Sequence, residues 1–122
     1  MTEVLPANQA ATMDLAGMTP AETASITSRS VLTTPEARAT LFSFATGQEL
    51  TMHTNARRAL VQVLSGEGEF FFAGEWHRLV AGTLLHLPPH HPHAVRAPAP
   101  FTMLLTLCGE PAASDFKGGA GT

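Results

Sequence analysis

The sequence predicts an all-β fold, an antiparallel jelly-roll β-barrel formed by one domain. Between residues 24 and 108, short apolar runs rich in β-branched and aromatic residues alternate with turn residues about every 8–12 positions. No segment in this range has the periodicity of an amphipathic helix. A chain of 122 residues is long enough for a single core. Short strands without helices between them indicate a sandwich or barrel rather than a parallel α/β sheet.

The strands can be assigned in chain order, because each run of β-forming residues ends at glycine, proline or a polar stretch. The sequence SGEG at 65–68 predicts a hairpin-like turn between two of them. The predicted strands cover residues 24–32, 37–45, 50–54, 59–64, 69–73, 76–80, 84–87, 94–97 and 101–107.

Three regions follow from this pattern. Residues 1–23 are rich in Ala and Thr and are interrupted by prolines, which predicts a mobile N-terminal arm. Residues 24–108 form the predicted barrel domain. Residues 109–122 are small and glycine-rich, which predicts a flexible C-terminal tail.

Composition excludes several classes of protein. The formal net charge of −3 gives no basic surface for nucleic acid. No apolar run approaches the roughly 18 residues that a membrane helix needs, and the N-terminus lacks the pattern of a secretory signal. Cys108 is the single cysteine, so an internal disulfide framework is impossible and a cytoplasmic location is expected.

Histidine is concentrated in one stretch, HLPPHHPH, which holds four of the six histidines of the chain. Residues two apart on a strand face the same side, so His91 and His93 are predicted to face the barrel interior with His53. Imidazole ligands suit a divalent transition metal such as Zn, Ni, Fe, Cu or Mn. The alternative is that His90 and His91 lie on a solvated turn and only His53 and His93 face inward.

Three polar residues after His53 are candidates for ligand binding. By the two-residue alternation Asn55 shares the face of His53, and its amide oxygen is a possible ligand. Arg57 and Arg58 follow at a polar kink, where they either hold a carboxylate by bidentate hydrogen bonds or are solvated surface charges.

The two remaining histidines are expected to lie outside the site. His77 lies on a strand next to a turn and is expected to be structural. His86 alternates with Leu85 and Leu87, which predicts that it points away from the ligand side.

The spacing of these residues resembles the cupin superfamily over residues 37–108, and within it the small, single-domain, RmlC-like bacterial cupins. The first cupin motif is Gly, five residues, His-x-His, a short gap, Glu, six residues and Gly. The second is Gly, five residues, Pro-x-Gly, two residues, His, three residues and Asn. The matching residues are Gly47, His53, Gly66, Gly82, Pro88 and His93.

The chain departs from both motifs at positions that bear on function. Asn55 stands in place of the second His, Ala59 in place of the Glu, and His90 in place of the turn Gly. Of the usual three-His, one-Glu set, only His53 and His93 carry over. Any activity that needs the carboxylate is therefore not implied for this chain.

The resemblance implies a small metal-binding cupin that acts on or binds a small molecule inside the barrel. Ala59 removes the ligand carboxylate, so a metal held by neutral imidazoles keeps its full charge and an anionic ligand is expected. An enzyme of this kind would be an oxygenase or an isomerase. The alternatives are a non-catalytic binding or sensor protein and a metal-free dimeric scaffold. By the same resemblance, the strand at 24–32 is expected to pair across a twofold axis in a homodimer.

Overall fold

The computed structural model describes residues 4–16 and 24–109, and these residues form an all-β, antiparallel jelly-roll barrel, as the sequence predicts. No helix able to cross a membrane occurs among them. The strands are β1 (Ile26–Thr34), β2 (Ala37–Phe44), β3 (Glu49–His53), β4 (Arg58–Phe72), β5 (Glu75–Val80), β6 (Leu84–Leu87), β7 (His93–Arg96) and β8 (Phe101–Cys108).

Two sheets form the walls of the barrel, and β4 belongs to both. Sheet A has the strand order β1-β2-β8-β4-β6, and sheet B has the order β5-β4-β7-β3. The first half of β4 pairs with β8 and β6, and its second half pairs with β5 and β7. All pairings are antiparallel, which lets short loops join the strands.

The hairpin turn predicted at 65–68 is wrong, because Arg58–Phe72 is one continuous strand. Its two halves do not pair with each other, and the chain instead bends from sheet A into sheet B. Gly66 adopts a left-handed backbone with φ of 69°, and a Cβ there would lie 2.3 Å from the carbonyl oxygen of Pro100. Gly68 lies against the ring of Phe101, 2.6 Å from where its own Cβ would be. Glycine at this place therefore marks a tight bend between sheets rather than a turn between paired strands.

Apolar side chains from both sheets fill the barrel. The rings of Phe44 and Phe101 stack with their centroids 4.7 Å apart, and Phe70 meets Phe101 edge-on at 5.9 Å. A cavity of about 10 Å³ remains among eight inward side chains, which is about the volume that one water molecule needs. A ligand inside the barrel, as the sequence led us to expect, has no room among these side chains. The lining residues are Leu50, Val61, Phe70, Leu87, His93, Val95, Met103 and Leu105.

A second apolar cluster lies on the outer face of sheet A. Val31, Ala39 and Leu41 are buried there, and Met13 of the N-terminal segment packs against them. The backbone N–H of Leu5 donates to the carbonyl oxygen of Val31 at 2.7 Å, so this segment lies along the free edge of β1. Sheet A therefore has an apolar cluster on each face. The mobility expected of the arm and of the tail stays a prediction.

The bend at Gly66 leads to a stability prediction with an internal control. Gly82 also has a left-handed backbone, with φ of 95°, but a Cβ there meets nothing within 4 Å. Gly82→Ala is expected to cost about 1–2 kcal/mol of unfolding free energy from backbone strain alone. Gly66→Ala adds the clash with Pro100 and is expected to cost about 3 kcal/mol or more. Urea unfolding of both variants measures the difference, and equal losses would show that the close approach does not constrain the bend.

Candidate functional site

The candidate site lies at one end of the barrel, which we call the mouth and define by loops 54–57 and 88–92. Loop 54–57 follows the end of β3, and loop 88–92 precedes the start of β7. The pairing of β3 with β7 places His53 opposite His93, after an irregularity between Leu50 and His53. Two histidines that are 40 positions apart in sequence thus become cross-strand neighbours at the mouth.

His53 and His93 are in direct contact. Their ring centroids are 4.2 Å apart and the ring planes are inclined by 61°. His93 is buried, with 7% of its surface exposed, whereas His53 is half-buried. The sequence prediction that these two imidazoles meet is therefore confirmed.

Both rings are held in the same way by the backbone. Nδ1 of His53 lies 2.7 Å from the carbonyl oxygen of Thr51, and Nδ1 of His93 lies 2.9 Å from that of His91. A carbonyl oxygen only accepts, so each Nδ1 carries the proton when the ring is neutral, and the lone pair is on Nε2. Metal-binding histidines are commonly oriented in this way: one ring N–H donates to a backbone carbonyl, and the other ring nitrogen is free to bind the metal.

The surroundings of His93 favour its neutral form. Burial lowers the pKa of His93 below its usual value, and the positive charges of protonated His53 and His91 would lower it further. The hydrogen bond to the His91 carbonyl raises the pKa, and its effect is smaller than that of burial and larger than that of either charge. A neutral imidazole is the form that binds a metal.

The structure does not align His91 with His93 in the way the sequence led us to expect. β7 begins at His93, so His91 lies in the preceding loop, where the alternation of a strand does not apply. Among residues 4–16 and 24–109, no group of three or more His, Cys, Asp or Glu side chains has an arrangement that could hold a metal ion. His91 is nonetheless close enough for its charge to influence His93, and its role as a ligand stays a prediction.

Asn55 connects the two loops of the mouth. Its side-chain oxygen accepts the backbone N–H of Arg57 at 2.9 Å, and its carbonyl oxygen accepts the N–H of His90 at 2.7 Å. His90 has a left-handed backbone with φ of 65°. β3 ends at His53, so the alternation that assigned Asn55 to the face of His53 does not extend to it. Its role in ligand binding stays a prediction.

The two arginines after His53 lie in different places. Arg58 precedes the inward-facing Ala59 and is exposed on the outer face of sheet A. Its Nη1 lies 2.7 Å from Nε2 of His86, which confirms that His86 points away from the barrel interior. Arg57 is half-buried in loop 54–57. The proposed action of the two as a pair on one carboxylate stays a prediction.

His77 lies on the inner face of sheet B, beside Phe70 in the register. Its ring stacks on Phe72, with centroids 3.9 Å apart and planes inclined by 12°, and its Nε2 is 3.6 Å from a carboxylate oxygen of Glu75. Its Nδ1 is buried without a hydrogen-bond partner in the described part of the chain. The stacking agrees with the structural role expected for this residue.

Sequence reasoning missed Arg38, which lies on the inner face of sheet A at the mouth. Arg38 is opposite Leu107, and Leu107 is opposite Ala59, which is 3% exposed. Paired residues of antiparallel strands face the same side, and Leu107 and Ala59 belong to the core inside the barrel. The sequence contained an indication of this position, because Arg38, Phe42 and Phe44 are separated by even numbers of residues along β2 and therefore share a face. Phe44 belongs to the core and Phe42 packs against it.

A family model described as "Cupin domain" matches residues 40–107. The match spans more than half of the chain, so the chain belongs to this family. The family assignment agrees with the jelly-roll barrel.

Solved structures support the same fold. A conserved protein of unknown function from Streptococcus pyogenes is 29% identical with a TM-score of 0.76, over 92% of this chain and 98% of that one. A cupin superfamily protein from Desulfitobacterium hafniense is 24% identical with a TM-score of 0.76, over 89% of this chain and 100% of that one. A cupin 2 conserved barrel domain protein from Leptotrichia buccalis is 33% identical with a TM-score of 0.73, over 79% of this chain and 47% of that one. No curated protein matches the sequence significantly.

Proposed function

We propose that this cupin binds a divalent transition metal (Zn, Ni, Fe, Cu or Mn) through Nε2 of His53 and Nε2 of His93, and that it binds a small anionic molecule at the mouth. The observation that carries the proposal is the matched pair of Nδ1 contacts with the carbonyl oxygens of Thr51 and His91. Nothing in packing alone requires two adjacent imidazoles to be oriented in the same way. Metal-binding histidines almost always have such a contact at the ring nitrogen that does not bind the metal.

Two neutral imidazoles fit part of a metal site. Zinc sites that bind substrate have three protein ligands and one open position, so a metal here would take its other ligands from His91, from water or from a bound molecule. When bound, the metal would act as a Lewis acid toward such a molecule. The chain itself contributes the orientation of the rings and the burial that keeps His93 neutral.

The first prediction concerns metal content. Elemental analysis of protein purified without a histidine tag is expected to find close to one transition metal per chain. Removal of one of two imidazole ligands removes about half of the protein's bonds to the metal, so His53→Ala and His93→Ala are each expected to lower the content sharply.

The matched control is His86→Ala, because His86 is an exposed histidine that contacts Arg58 rather than the pair. This variant is expected to keep the wild-type metal content. Metal that is unaffected by His53→Ala and His93→Ala, or lost equally in all three variants, would contradict the proposal.

The preference for an anion rests on the charge at the mouth. Ala59 faces inward at the position where the family motif has a carboxylate, and alanine neutralises no charge. A metal bound only by neutral rings therefore keeps its positive charge, and Arg57 in the adjacent loop adds to the field. The small cavity inside the barrel favours binding at the mouth.

A thermal-shift comparison tests this preference. Pyruvate and benzoate are expected to raise the melting temperature of the metal-loaded protein, whereas glucose and benzamide leave it unchanged. The shift is expected to disappear after chelation and to weaken when Arg57 and Arg58 are both replaced by alanine. Equal stabilisation by the neutral compounds, or by carboxylates in the chelated protein, would count against an anion site that depends on the metal.

A second candidate function is binding without catalysis, in a sensor or storage protein. It is favoured by Ala59, because the inward position where the family motif has a carboxylate holds no general base in this chain. Carboxylate binding without turnover of any small carboxylate in the presence of oxygen would support this candidate over an oxygenase or isomerase.

We also propose a homodimer that forms through the outer face of sheet A. β1 pairs with β2 of its own chain, and Leu5 lies along its other edge, so a partner strand at that edge would have to displace the N-terminal segment. The face itself is a better candidate, because Leu104, Gln62 and Leu84 form one outward row across β8, β4 and β6. Leu84 is 61% exposed.

The outer face of sheet B has a different character. Arg78 pairs with Glu67, and Nε of Arg96 donates to Glu69 at 2.6 Å. Charges that are paired within one chain and hydrated outside lose hydration when a partner covers them. The row on sheet A contains two leucines and an amide and no charged side chain, which favours it as the contact surface.

Charge substitutions test the interface. Light scattering at micromolar concentration is expected to give a dimer for the wild type and a monomer for the double variant Gln62→Lys and Leu84→Lys, because like charges would meet across the twofold axis. Both side chains are exposed, so the fold is expected to remain intact. Val80→Lys, at a site 49% exposed on sheet B, is the control and is expected to stay dimeric. A monomeric wild type would rule out the homodimer, whereas a dimer lost only in Val80→Lys would move the interface to sheet B.

A further inference from the structure

Arg38 differs from the other arginines of the described chain. Arg58 contacts His86, and Arg78 and Arg96 pair with Glu67 and Glu69. Arg29 and Arg57 also have interactions with other groups. Within residues 4–16 and 24–109, Arg38 is the one arginine whose side chain makes no hydrogen bond, ion pair or ring contact.

This lone arginine is half-buried. A guanidinium has five N–H donors and stays charged at every physiological pH. Partial burial removes water from some of those donors, and the loss is costly unless another group replaces the water. No acidic side chain of the described chain does so, which leaves the guanidinium available to an anion.

The position of Arg38 connects it to the histidine pair. β2 belongs to sheet A and β3 to sheet B, and loop 45–48 joins them at the far end of the barrel. Arg38 near the start of β2 and His53 at the end of β3 therefore lie at the same end, on opposite walls. Facing sheets are on the order of 10 Å apart, a gap that a small molecule can span.

The surface beside Arg38 offers no competing polar group. In the register, Leu107 and then Ala59 and Leu87 follow it across sheet A at the level of the mouth. All three are buried apolar residues. These three side chains are covered by the rest of the core, so an anion would meet the exposed part of the guanidinium at the mouth rather than enter the barrel, and no acidic side chain across the sheet competes with it.

We propose that Arg38 binds the carboxylate of the molecule recognised at the mouth, through two parallel N–H···O hydrogen bonds. This inference rests on the proposed anionic ligand and names the residue that selects it. It also assigns a ligand class: small carboxylic acids whose carboxylate reaches Arg38 while the rest of the molecule extends toward His53 and His93. Arg57 and Arg58 then add a general positive field rather than the specific contact.

The test measures binding and folding in the same set of variants. Benzoate and pyruvate are titrated calorimetrically into wild-type protein, Arg38→Met, Arg38→Lys and the control Arg78→Met, each after chelation and again after addition of zinc. Arg38→Met is expected to weaken the Kd about ten- to a hundredfold, the effect of losing a bidentate charged contact. Arg38→Lys keeps the positive charge but loses the planar guanidinium that makes two parallel hydrogen bonds. Its Kd is therefore expected to lie between those of the wild type and Arg38→Met. Arg78→Met, on the outside of sheet B, is expected to bind as the wild type does.

Urea unfolding separates a binding role from a structural one. Because Arg38 has no partner in the described chain, Arg38→Met is expected to leave the unfolding free energy unchanged or to raise it. Unchanged binding in Arg38→Met, or a loss of stability with binding intact, overturns the assignment of Arg38. If wild-type protein binds neither benzoate nor pyruvate, with zinc or without, the proposed anionic ligand fails and the role of Arg38 fails with it. If binding depends on Arg38 but not on zinc, the metal proposal alone fails.

Discussion

The bend in β4 is the constraint on which the rest of the molecule depends. One strand of 15 residues serves both sheets because Gly66 has no side chain where the carbonyl of Pro100 approaches, and because Gly68 lets the ring of Phe101 close over the backbone. The first half of the strand then carries Ala59 inward on one wall, and the second half supports β7 and His93 on the other. The distance between the walls, and with it the size of the mouth, follows from how tightly this strand turns.

At the mouth, the same local arrangement occurs twice. In each case a ring nitrogen lies against the carbonyl two residues earlier, once at the end of β3 and once at the start of β7. The irregularity in β3 between Leu50 and His53 brings the two arrangements side by side. Orientation of the rings thus comes from the backbone rather than from neighbouring side chains, so residues around the pair are able to vary without disturbing it.

Much of this could be predicted from the sequence, and the failures have physical reasons. Strand positions and the His53–His93 pair follow from turn residues and motif spacing, which are local properties. The hairpin at 65–68 failed because glycine marks both turns and close backbone approaches, and only the position of Pro100 distinguishes them. The alternation used for Asn55 and His91 does not extend to them, because β3 ends at His53 and β7 begins at His93. Arg38 was missed because β2 is apolar on both faces: Leu41 packs outside and Phe42 inside, so the sequence does not show which face is the interior.

The N-terminal segment along β1 has a consequence for how the protein is handled. An edge strand exposes unpaired N–H and C=O groups that can add a strand from another molecule, and Leu5 occupies part of that edge with one backbone hydrogen bond. Met13 at the same time shields Val31, Ala39 and Leu41. Proteolytic removal of the N-terminal segment would expose the unpaired backbone groups of β1 next to the apolar cluster of Val31, Ala39 and Leu41. An unpaired strand edge beside an apolar surface promotes aggregation. A fusion partner placed before this segment that displaced it from β1 would expose the same edge.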